Sequence, residues 1–151
     1  MKSAALFLLA ALLVGCTSVP MLIGFTELRR LPAAEANQGV AIGRFDEAIA
    51  IYDQVIPKVP EPAHVHLLKA HALKTIDQTA QAIAAYRAAY ENKPGSGDAF
   101  WSLANLKTYR FSDLEVEAML ASIAEPNLSP VDHVHLNFAL GKHFEDAKDF
   151  E

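Results

Sequence analysis

From about residue 28 onward, apolar side chains recur at helical intervals and are cut into short runs by turn formers. Ala48, Tyr52, Val55 and Ile56 stand at i, i+4, i+7 and i+8, a single stripe along one helix face. That stripe predicts a helix over residues 47–55, preceded by one over 32–41 and by the turn Gly43-Arg44-Phe45-Asp46. Pro57 and Pro60 end it, because proline cannot continue a helix interior. The next pair is predicted over 63–75 and 79–92, joined by Ile76-Asp77-Gln78, with Ala82, Tyr86, Ala89 and Tyr90 on the second stripe. Pro94 and Gly95-Ser96-Gly97 then turn the chain. A helix over 98–109 carries Phe100, Leu103 and Ala104 inward, and Ser112 with Glu115 three residues later forms a capping box that opens another, running to about 124. The last predicted helix covers 132–146. Val/Ile/Thr runs with period-two alternation are scarce, so the fold class is all-α.

The pairs echo one another. Ala48, Tyr52 and Pro60 return 34 residues later as Ala82, Tyr86 and Pro94, with Val55 answered by Ala89. In this period and plan the chain resembles the tetratricopeptide repeat (TPR), a helix–turn–helix unit that stacks into a solenoid. The resemblance implies about three and a half repeats over 28–151, with units near 29–62, 63–96, 97–133 and 134–151. The third is expected to carry a three-residue insertion, and Leu140-Gly141 is the small pair of the fourth. Lys148-Asp149-Phe150-Glu151 fall at the turn before a second helix of that unit, so the expectation is the N-terminal portion of a longer protein.

The first residues differ in kind. Lys2 precedes the eleven apolar residues 4–14, too few for the roughly 20 that span a bilayer, which reads as an export signal. Leu13-Val14-Gly15-Cys16 resembles the lipobox of bacterial lipoproteins, in which the cysteine is acylated; Cys16 is the only cysteine of the chain. Residues 1–16 are then a signal peptide and 17–27 a linker, placing the protein at the cell envelope, lipid-anchored and facing the periplasm. A signal anchor over residues 4–25 is the competing reading, and a true start at Met21 would leave the protein cytoplasmic.

Charge narrows the partners. The net charge of −5 and the lack of a dense Lys/Arg run argue against nucleic acid. His64/His66 and His133/His135 are two apart, pointing to different sides of a helix, so no metal is expected. Asp113, Glu115 and Glu117 read as a solvated helix start. No serine, histidine or cysteine constellation suggests catalysis.

In tetratricopeptide repeats one face of each first helix lines a concave groove, which implies a protein or peptide partner. The matching positions here include Asn37, His71, Lys74, Trp101, Asn105, Tyr109 and Lys142, alongside His64, Leu67, Asp98, His135 and Phe138. Asn37 and Asn105 occupy the same repeat position, where a carboxamide can bond a peptide backbone while Lys74 or Lys142 pairs a carboxylate. Packing of these side chains against neighbouring repeats is the alternative, Trp101 in the core above all.

The run Phe100-Trp101-Ser102-Leu103-Ala104-Asn105-Leu106-Lys107-Thr108-Tyr109-Arg110-Phe111-Ser112-Asp113 is more specific and resembles bacterial sulfotransferases that carry such repeats. His71-Ala72-Leu73-Lys74-Thr75 upstream and His135-Leu136-Asn137-Phe138-Ala139-Leu140-Gly141-Lys142 downstream are similar to that family as well. The resemblance, over about 60–151, implies repeats that precede a catalytic domain using 3′-phosphoadenosine-5′-phosphosulfate. The strand and Arg-Ser-Gly-Thr-type loop that would hold this donor are absent from the sequence, so no catalytic residue and no cofactor is assigned to this chain. Export would also separate such an enzyme from a cytoplasmic donor. A stand-alone exported scaffold is the alternative.

Overall fold

A computed structural model of the protein describes residues 34–147. The signal peptide, Cys16 and the linker expected over 17–27 lie outside the described residues. Seven α-helices occur among those described: α1 over 34–41, α2 (Phe45–Val55), α3 (Ala63–Thr75), α4 (Thr79–Asn92), α5 (Gly97–Ala104), α6 (Asp113–Ile123) and α7 (Pro130–Ala147). A 3-10 turn, Ile56–Lys58, follows α2, and no strand occurs in this span.

The helical residues that echo at 34 are buried, whereas the echoing Pro60 and Pro94 are exposed. Ala48, Tyr52, Val55, Ala82, Tyr86 and Ala89 all lie in the core. The small side chains among them let α3 and α4 approach closely, and these two helices form the tightest hairpin. The turns repeat too. Gly43 and Asp77, one period apart, both hold a left-handed backbone, with φ of 81° and 62°. Asparagine and aspartate tolerate that region better than other residues with a side chain. Two apolar clusters meet across α3, which gives Val65 and Ala72 to the first and Leu67, Ala70 and Leu73 to the second.

The second unit follows the predicted boundaries, and the third departs from them. The helix predicted over 98–109 ends at Ala104, and residues 105–112 are irregular. Its last turn gives way because Leu106, Tyr109 and Phe111 are drawn into the core from the loop. The capping box at Ser112 and Glu115 forms as predicted and starts α6, with the Ser112 N–H donating to Glu115 Oε2 at 2.9 Å.

The final helix begins at Pro130, two residues before the predicted start. Ser129 Oγ accepts from the Asp132 N–H, and Pro130 suits a first helical position because no partner is needed for its missing N–H. Asp132 then accepts the Gly97 N–H at 2.9 Å, clasping the first turn of α7 to that of α5. Gly97 is obligatory at this contact: a Cβ there would lie 2.6 Å from the Asp132 carbonyl oxygen.

Candidate functional site

Most of the expected groove positions fall on α3, α5 and α7, the first helices of successive units. Trp101 is 39% exposed rather than core. Its ring stacks on His135 with centroids 5.5 Å apart and tilts against Phe138 at 6.4 Å, Phe138 itself being 46% exposed. These rings form an apolar platform shared by α5 and α7. Beside it His64, Leu67, Lys93, Asp98, Asp132 and His135 line a smaller pocket of about 250 Å³. His135 Nδ1 is buried and has no hydrogen-bond partner among the described residues.

The polar positions of the groove divide into two groups. Asn37 Oδ1 accepts the Tyr52 hydroxyl at 2.7 Å, and one period later His71 Nδ1 shares a 3.0 Å hydrogen bond with the Tyr86 hydroxyl. Both bonds tie the first helix of a repeat to its second, so one polar atom of each groove residue is committed to the fold. Burial holds His71 below the ordinary histidine range and pushes Tyr86 up to about 12. Lys74 is exposed and forms no ion pair with another described residue. Lys142 is paired on its own helix, with Asp146 at 2.7 Å and Glu145 at 3.3 Å.

Asn105 and Tyr109 are separated by the early end of α5. Asn105 stays exposed, but its Nδ2 donates to the Trp101 carbonyl at 2.8 Å and finishes the helix. Tyr109 is not on the groove face at all. It is buried, and its hydroxyl donates to Glu115 Oε1 at 2.5 Å.

Glu115 is the chief surprise. The reading of a solvated acidic start holds for the exposed Asp113 and Glu117 but not for Glu115, which is 5% exposed. Its Oε1 also accepts from Tyr90 at 2.9 Å and from Arg87 Nε at 3.2 Å. Burial would raise its pKa, but the hydrogen bonds from Tyr109, the Ser112 backbone and Tyr90 outweigh burial and hold the carboxyl below its usual range. Both phenols shift up, first through burial and then through donating to a carboxylate. No spacing in the sequence announces this cluster, because Arg87 and Tyr90 lie in the preceding unit.

A second concavity lies on the other side of the third unit, between the C-terminal ends of α4 and α6. It measures about 660 Å³ and is lined by Tyr90, Phe100, Ala118, Ala121, Ser122 and Leu128 among others. The two histidines of the first His-Val-His triplet separate as expected of a helix: His64 faces the smaller pocket, whereas His66 sits near Lys69 and Asp53.

Comparison with known proteins agrees with this geometry. Residues 63–96 match the family described as tetratricopeptide repeat, so α3, α4 and the turn after them are one such repeat. The helical pairs stacked on either side extend it into a solenoid of the same plan. Repeats of this kind generally bind proteins or peptides on an extended concave surface. No curated protein and no solved structure matches the chain.

Proposed function

We propose that the chain is a protein-interaction module whose concave face binds an extended peptide, anchored on the platform of Trp101, His135 and Phe138. The observation that carries this reading is the partly exposed Trp101, the single tryptophan of the chain, stacked on His135 between α5 and α7. Exposed aromatic anchors contribute most when a partner covers them. Lys74, free of ion pairs among the described residues, adds a cation along the same face. Panning random dodecapeptides against the full chain tests the reading. Selected peptides are expected to lose about tenfold or more in affinity against Trp101→Ala or Phe138→Ala, with the melting temperature little changed. Equal binding by those variants contradicts it.

Two finer parts of the proposal rest on sequence. The lipobox-like residues 13–16 support tethering of the module to a membrane through an acylated Cys16. Cys16→Ser then releases the protein to the soluble fraction, and unchanged fractionation contradicts the tether. The segment 98–113 supports descent from repeats that position an acceptor beside a sulfotransferase domain. In the fold that segment supplies Phe100, Leu103, Tyr109 and Phe111 to the core, a packing role that a scaffold without chemistry shares.

A further inference from the structure

We propose that the cleft between α4 and α6 binds a small organic cation with an apolar body, an alkyl- or arylammonium ion. Its volume of about 660 Å³ falls within the roughly 300–1,000 Å³ of small-ligand sites. The half-buried Tyr90 gives the cleft an aromatic wall, backed at 4.5 Å by the buried Phe100, and Leu128 extends the apolar lining. The cleft exists because Ala118 and Ala121 face it from α6, and their side chains are too short to reach α4.

The charges around this apolar body favour a cation. Glu91 and Glu125 line the cleft, both are exposed, and neither pairs with another described residue. The C-terminal turn of α6 ends here without a basic residue, so its negative end adds to the field, whereas Lys93 caps the end of α4. Asp132 is already committed to Gly97 and Ser129, and Lys93 is the single cation of the lining. An aromatic wall adds attraction for a cation resting against a ring face. The Pro94-Gly95 turn and the segment 124–129 border the cleft where the helices end, which suits a compact ligand better than an extended chain. The cleft shares Lys93 and Asp132 with the smaller pocket beside the platform, but Tyr90, Glu91 and Glu125 line the cleft alone, and ligand binding there needs no peptide on the platform.

Hexylammonium, 1-hexanol and hexanoate form the matching set of probes, followed by amide chemical shifts of the full chain. Hexylammonium is expected to give saturable shifts around Tyr90, Phe100, Ala121 and Leu128, with hexanoate weakest. Glu91→Gln combined with Glu125→Gln should lower hexylammonium affinity about fivefold and leave 1-hexanol unchanged. Ala121→Leu, which lengthens the wall into the cleft, should weaken both; the charge variants test the site independently of how that variant folds. Absence of saturable shifts with hexylammonium, or hexanoate binding as tightly, overturns the proposal. So does a response to a basic peptide alone.

Discussion

The second and third repeats start from one plan and are held together differently. In the second, α3 and α4 meet through small residues, and Tyr86 crosses the hairpin to His71. One period later, Leu120 replaces that tyrosine and is 51% exposed, while Asn105 turns back to finish α5. The hairpin bond made by Tyr52 and Tyr86 therefore has no third copy. The third repeat instead ties α6 to α4 through Glu115, which gathers Arg87, Tyr90 and Tyr109. Spacing survives this exchange: Thr79 and Asp113, the first residues of α4 and α6, are 34 apart. Repeat register and hairpin closure are thus separable, and where closure changes the surface changes. The shortened α5 accompanies both the exposed Trp101 platform and the cleft.

The largest expected effect breaks the third repeat alone. Glu115→Ala strands the buried Tyr109 hydroxyl and the half-buried Tyr90 hydroxyl, and should destabilise the fold by about 3 kcal/mol. Chemical denaturation measures this, and a loss below about 1 kcal/mol would mean the cluster does not close the repeat. Gly97→Ala comes next. Its methyl group meets the backbone of Asp132, which has no flexible end to move aside, so about 2 kcal/mol should be lost and α7 loosened from α5. Hydrogen exchange that stays unchanged in α7 would count against that clasp.

Smaller effects sharpen the second repeat. Tyr86→Phe removes only the hydroxyl shared with His71 and should cost about 1 kcal/mol, with Tyr52→Phe matching it through Asn37. His71 adds a pH dependence. Burial lowers its folded-state pKa, so the unfolded chain takes up the proton more readily and acid favours unfolding. Its contribution is complete above the ordinary histidine value of about 6.5 and is lost as pH falls through the lower folded-state value. His71→Asn, which copies the Asn37–Tyr52 pair, should flatten the fall in melting temperature from about pH 7 to 5. Part of the slope should remain, since His66 shifts the same way through burial and Lys69. An unaltered slope in the variant would show that His71 does not titrate in this environment.

What the sequence made legible follows from where the information sits. The Ala–Tyr–Pro echo fixes both helices of the second unit because each of those residues acts within its own hairpin or turn. The capping box was readable for the same reason, being a contact across three residues. Glu115 was misread because the partners that bury it sit 25 and 28 residues away, in a different repeat. The end of α5 was missed because Leu106 and Tyr109 are compatible with a helix over 98–109, while the core takes them, with Phe111, from an irregular loop. Of the expected groove positions, Trp101 stays partly exposed on α5 and His71 is half-buried on α3. Nothing in their spacing shows that a tyrosine already occupies one polar atom each of Asn37 and His71.

The claim that binding belongs to the concave face can be tested on a single complex. Amide hydrogen exchange of the full chain with a selected peptide should show new protection in α3, α5 and α7, centred on His71, Trp101 and Phe138, with α4 and α6 unchanged. Protection confined to α4 and α6, with none around Trp101, would contradict it.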